Sequence, residues 1–319
     1  MTNQDKPELI FGLIGPIGVD LTAITRKLNA ALQNVGYKSV EIRITDLMKS
    51  VPVGLRLRQD SYVNKYNDLI SYADSVRQKC RSNAAMAGLA ITQIQVERDR
   101  ITGRAPDSKS GAIPAHGHAF IIRQFKRREE IELMRETYGR KFILISAYLS
   151  EAERIEEISA KIDKSDHSTR TRDERADLAR SLVHRDKNER ENEYGQRVEE
   201  AFHLGDVFVP GRSEDDIEYT VDRFINAFFG NNKITPNRYQ FGMYAATGAS
   251  LRSSDLSRQV GAAIFTVGGE IVALGCNEVP KPLGGTYWDE RGAKPVRDVD
   301  RGIDANHMRK QKIVHDLIS

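Results

Sequence analysis

The chain predicts an α/β fold in two parts: a doubly wound parallel-sheet domain over residues 1–230 and the N-terminal part of a second α/β domain over residues 231–319. Three observations lead there. Short β-rich apolar runs alternate with segments of helical periodicity through most of the chain, a pattern that calls for parallel strands joined by right-handed crossovers. The polar, turn-rich stretch NNKITP at 231–236 then interrupts the alternation, as a domain boundary does. Beyond it the order changes to a helix followed by two adjacent strands.

Each element follows from its residues. ELIFGLIG at 8–15 is an apolar strand, and LTAITRKLNAALQNVG at 21–36 places apolar residues at helical spacing and stops at Gly36, a C-cap. SVEIRIT at 39–45 completes a βαβ unit. Alanine-rich, proline-poor residues 60–101 read as helical, and further strands fit 119–123, 141–149 and 206–211. REEIELMRETYG at 128–139 is a helix between two of them, and the amphipathic run at 218–230 closes the first domain. In the second part a helix leads into two strands turned at Gly268-Gly269, then into a loop rich in proline and glycine.

Charge and composition narrow the function classes. Lys and Arg number 48 against 45 Asp and Glu, so the surface is mixed in sign and attraction to polyanions must be local. No apolar run approaches the ~18 residues of a membrane helix. Cys80 and Cys276 are the only cysteines, which fits a reducing cytoplasm and leaves too few thiols for a disulfide framework or a sulfur-rich metal site.

The first motif is GLIGPIGVDLT at 12–22. In a phosphate loop, G-x-x-x-x-G-K-[ST], backbone N–H groups wrap the phosphates, Lys neutralises charge and Ser or Thr holds magnesium. From Gly15 this chain reads G-x-x-x-x-D-L-T, with Asp20 replacing the last glycine and Leu21 replacing the lysine. Gly15, Gly18, Asp20 and Thr22 are the nucleotide or phosphate candidates, with Mg2+ accompanying the nucleotide at Thr22. A glycine turn between strand and helix can hold an anion from the helix dipole and free N–H groups. A structural turn without a ligand explains the same residues.

The order of elements from residue 119 to residue 209 resembles nucleoside monophosphate kinases, in which an arginine-rich lid closes over the phosphates. Arg154, Arg170, Arg172, Arg175, Arg180, Arg185, Arg190 and Arg197 are the arginines such a lid would use. They are interleaved with acids, so a solvated helical face with i,i+4 pairs accounts for them equally.

The most specific motif lies at 237–289, where RQVGAAIF, a second strand ending GCNEVP, and PLGGTYWD follow a helix. This stretch resembles the first third of zinc-dependent deoxycytidylate deaminases. The resemblance implies that Asn277 contacts the sugar and helps shape the base pocket, and that Arg258 and Gln259 lie near the nucleotide. Hydrolytic deamination needs a zinc-bound hydroxide and a proton-shuttling glutamate, encoded as H-x-E and P-C-x-x-C. Neither motif occurs in the chain, and His307 and His315, eight apart, are off ligand spacing, so no metal or catalytic residue is assigned and the chain is expected to be inactive alone.

Taken whole, a kinase-like domain with an altered phosphate loop ahead of a deoxycytidylate deaminase segment resembles the bacterial antiphage deoxycytidine nucleotide deaminases. That resemblance implies hydrolysis of dCTP or dCMP to dUTP or dUMP and ammonia, with Zn2+ bound by ligands outside this chain, and homo-oligomers. It further implies a regulatory first domain that binds a purine nucleotide or an inhibitory RNA. The alternatives are a non-catalytic nucleotide or RNA sensor and a nucleoside monophosphate kinase.

Overall fold

The structure, a computed structural model, describes residues 6–105, 113–166, 170–189, 191–292 and 294–318. The chain divides into two compact units, one up to Asn231 and one from Asn232.

The first unit begins β1 (Leu9–Ile14), α1 (Leu21–Asn34), β2 (Lys38–Arg43), the short α2 (Ile44–Leu47), α3 (Tyr62–Cys80) and α4 (Ala85–Thr102). It continues β3 (His118–Phe125), α5 (Arg128–Tyr138), β4 (Phe142–Tyr148), α6 (Glu151–Asp166), α7 (Arg172–Lys187), α8 (Val198–Phe202), β5 (Val207–Pro210) and α9 (Glu214–Phe228). The strands form one five-stranded sheet in the order β2-β3-β1-β4-β5, and every pairing is parallel.

Strand alternation sends successive side chains to opposite faces, and both faces are apolar because both are covered. Ile10, Ile14, Phe120, Ile122 and Leu144 pack against α4 and α5 through Ala87, Ala90, Ile94, Ile131 and Met134. Leu9, Phe11, Leu13, Ile121 and Ile145 pack against α1 and α9 through Ile24, Leu28, Leu32, Val221 and Ile225. The connections leaving β1 and β3 therefore diverge to opposite faces although the two strands are neighbours. Such a switch point opens a crevice at the carboxyl ends of the strands.

Residues 60–101 differ from the single helical stretch the sequence predicts. Helix α3 ends where Arg81 adopts φ 51°, a left-handed cap, and α4 begins at Ala85. The break carries no glycine or proline; its local cue is Ser82-Asn83, a pair of turn formers. Helices α6 and α7 pack together over a small core of Ile158, Ile162, Ala179, Leu182 and Val183 that also takes in Ile17 from the loop after β1.

The second unit contains α10 (Arg238–Ser250), β6 (Gly261–Phe265), β7 (Ile271–Cys276), the short α11 (Asp298–Arg301) and α12 (Ala305–Ile318). The two strands pair antiparallel with a bulge before Phe265, and the turn spans residues 266–270 with Gly269 at φ 97°, longer than a two-residue Gly-Gly turn. Cys276, at the end of β7, is half-buried. Among the described residues of this unit, Gly242, Ala249 and Ser253 alone are buried, whereas Ile264, Val272 and Leu274 on the strands and Ile313, Val314 and Leu317 on α12 are exposed. No helix among the described residues is long and apolar enough to cross a membrane.

Candidate functional site

The crevice at the carboxyl ends of β1 and β3 is framed by the Gly15–Asp20 loop. Gly18 sits at φ 101°, where a side chain is strained, and a Cβ there would approach Arg154 Cβ to 3.0 Å. Asp20 caps α1: one carboxylate oxygen accepts from the N–H groups of Thr22 at 2.9 Å and Ala23 at 3.0 Å. These are donors that a phosphate at a helix N-terminus would use, so the chain's own carboxylate occupies them. The hydroxyl of Thr22 accepts from Arg123 Nη2 at 2.9 Å, and Arg123 Nη1 also donates to Glu41 at 2.7 Å. Burial pushes the Glu41 carboxyl up, but hydrogen bonds from Arg43 and Arg123 outweigh it and hold the group below the usual range.

A lysine from another strand reaches the loop. Lys126, at the end of β3, sends its ammonium to the carbonyl of Gly15 at 2.9 Å and to Asp186 Oδ1 at 2.7 Å. The other Asp186 oxygen accepts from Ile17 N–H at 2.7 Å, and both charged side chains are buried. Arg154 adds a second cation. It is 7% exposed, packs along Gly18, and its Nε and Nη1 are buried without a hydrogen-bond partner. Burial holds its guanidinium below the usual arginine value. An arginine in that state has donors to offer and pays an uncompensated desolvation cost.

A cavity of ≈ 60 Å³ adjoins the loop, lined by Ile17, Arg77, Gln124, Lys126, Asp186 and Gln196 with apolar walls from α3 and Met86. Gln196 Oε1 is buried there with no partner. Ligand pockets run to about 300 Å³ or more, so the cavity cannot take a nucleotide in this conformation.

Among the described lid arginines, Arg154 packs on the glycine loop with Nε and Nη1 unpartnered, and Arg197 Nε is likewise buried without a partner. Arg175 pairs with Asp163, Arg180 with Asp177 and Arg185 with Asn67, Ser71 and Glu189, as a solvated or packing face would. Arg197 lies within 3.8 Å of Glu200, Arg170 and Arg172 are exposed, and Arg190 lies outside the described residues.

In the second unit Asn277 is exposed as a residue, yet both its amide oxygen and its amide nitrogen are hydrogen-bonded. Its Oδ1 accepts from Val260 N–H at 2.7 Å and Ser253 Oγ at 2.8 Å, and its Nδ2 donates to the Arg258 carbonyl at 2.9 Å. Gln259 Nε2 donates to the Asp255 carbonyl at 2.8 Å, and the side chains of Arg258 and Gln259 are exposed. Asn277, Arg258 and Gln259 thus meet in one turn, held mainly through backbone. Among the described residues no group of three or more His, Cys, Asp and Glu side chains is placed to hold a metal ion.

Sequence reasoning missed Lys126, Asp186 and Arg123. The signal for the first was FKRR directly after a strand, which becomes informative only once β3 is known to lie beside β1. No family model and no curated protein matches the chain. Among solved structures it is similar to a gluconokinase from Sinorhizobium meliloti 1021, at 10% identity and a TM-score of 0.29, over 71% of this chain and 98% of that one.

Proposed function

We propose that the unit up to Asn231 is a nucleotide-binding, kinase-like module that holds phosphoanions without transferring a phosphoryl group. The observation that carries this reading is Arg154, a buried guanidinium with two unpartnered N–H groups beside a glycine loop that also has Lys126 at its neck. Transfer is a different matter. It needs a cation free to follow the moving phosphoryl group and a magnesium ligand. Here Leu21 stands where a phosphate loop carries its lysine, and the Thr22 hydroxyl already accepts from Arg123 Nη2.

Calorimetric titration of the chain with ATP, dCTP and dCMP, beside an assay for ADP formation from ATP and a deoxynucleoside monophosphate, tests the reading. Saturable binding without ADP is the expected outcome. ADP formation replaces it with an active kinase, and no heat with any nucleotide removes it.

A second reading makes the module the regulatory part of a deoxycytidine nucleotide deaminase acting in phage defence, converting dCTP or dCMP to the uracil nucleotide and ammonia. It is favoured by the Asn277 turn, which joins the R-Q-V-G strand to the G-C-N-E-V-P strand through side-chain amide bonds. In this reading the zinc ligands are not among these residues, and Arg258, Gln259 and Asn277 supply a partial nucleotide site that binds dCMP without them. Saturable dCMP binding that is weakened by Arg258→Ala supports it; identical dCMP binding by both proteins counts against it.

A further inference from the structure

We propose that Asp186 is an internal stand-in for the ligand's anion, so that a polyphosphate binds by displacing Asp186 from Lys126 and from Ile17 N–H and by engaging Arg154. The proposal rests on the reading of the loop as a phosphoanion site and names how that site is gated.

The Asp186 carboxylate does what two oxygens of a phosphate would do. One oxygen takes a loop amide at 2.7 Å and the other takes an ammonium at 2.7 Å, in a place where the residue is 2% exposed. Hydrogen bonds to charged groups at such distances are among the strong ones. The charges, however, do not balance. Lys126 and Arg154 bring two cations against the single charge of Asp186, while Glu151 stands 4.0 Å from Arg154 and is largely exposed, where solvent screens it. A ligand with several anionic oxygens satisfies both cations and the unpartnered N–H groups of Arg154; one carboxylate does not.

The contact also couples the site to an element. Asp186 belongs to α7, and the side chain of Ile17 lies in the small core of α6 and α7. Movement of α7 away from the loop is the opening we infer, because it releases Ile17 N–H and Lys126 together and enlarges a cavity that is too small for a nucleotide in the closed arrangement. A ligand that must displace a competitor binds with its affinity reduced by the fraction of open molecules.

The test uses the full chain, tripolyphosphate as the probe, and Asp186→Asn, which keeps an acceptor for Ile17 but removes the charge. Calorimetry is expected to show D186N binding tripolyphosphate at least about tenfold more tightly than the unaltered chain. Hydrogen exchange on the unaltered chain is expected to show faster exchange across 172–187 when tripolyphosphate is added. Equal affinities, or binding with no change in exchange over 172–187, overturn the gate and leave the anion site standing. Binding by neither protein overturns both.

Discussion

Glu130 gathers four donors on one carboxylate: Arg77 Nε and Nη2 on one oxygen, and the N–H groups of Lys126 and Arg127 on the other. It is fully buried and sits in the first turn of α5, where a negative charge also suits the helix dipole. Glu130→Gln takes from Arg77 the nearer of its two carboxylate partners and leaves only Asp74, and urea denaturation is expected to show a loss of about 3–5 kcal/mol. A loss below about 1 kcal/mol refutes that account. Asp74 behaves in the opposite sense. Burial, followed by the nearby charge of Glu189, pushes its carboxyl from 3.8 up to about 7, although Arg77 donates to it at 3.2 Å. Since the folded value is the higher one, the native state keeps a proton that the unfolded chain has released. Stability from this group is complete below the unfolded pKa and is lost as pH rises through about 7. Between about pH 5 and pH 8 the urea midpoint of the unaltered chain should fall relative to that of Asp74→Asn; a difference that stays constant with pH contradicts the assignment.

Elements are tied together at the loop by few residues, so small changes there act on whole helices. Ile17 is 5% exposed and, among the described residues, is the one loop side chain buried in the core that α6 and α7 share. Ile17→Ala is expected to cost about 2–5 kcal/mol. Its more specific consequence is faster proteolytic cleavage within α6 and α7, and an unchanged cleavage pattern would show that these helices hold without the loop. At the start of α1 the stake is smaller. Asp20→Ala removes the carboxylate that satisfies Thr22 and Ala23 N–H and should lower stability by about 1 kcal/mol. The same change vacates an anion position at the helix N-terminus, so calorimetry should register tripolyphosphate binding no weaker than in the unaltered chain; weaker binding would mean that Asp20 serves the ligand directly.

At the scale of the molecule the two units differ in how much they bury. The sheet of the first unit is covered on both faces, whereas the second keeps apolar strand and helix residues exposed. Protection from hydrogen exchange follows buried apolar contact, so amides of β1, β3 and β4 should exchange far more slowly than those of β6 and β7. Comparable protection in both sheets would contradict this. The sequence by itself determined the layering. The uninterrupted apolar runs LIFGLI and AFII put apolar residues on both faces of those strands, and turn residues after Gly230 mark where that pattern ends. It also located the Gly15–Thr22 loop between a strand and a helix. The split of residues 60–101 into two helices escaped it, because Arg81 takes a conformation that its residue type does not advertise. Only the tertiary structure decided which charges serve the loop. Leu21 stands at the lysine position of a phosphate loop, and the ammonium that reaches the Gly15 carbonyl is that of Lys126, because parallel pairing sets the ends of β1 and β3 side by side. Its counter-charge comes from Asp186, 169 residues from the amide of Ile17 that it also binds. Local periodicity encodes which face of an element is apolar; contacts between remote charges depend on strand order and helix docking, which no local pattern carries.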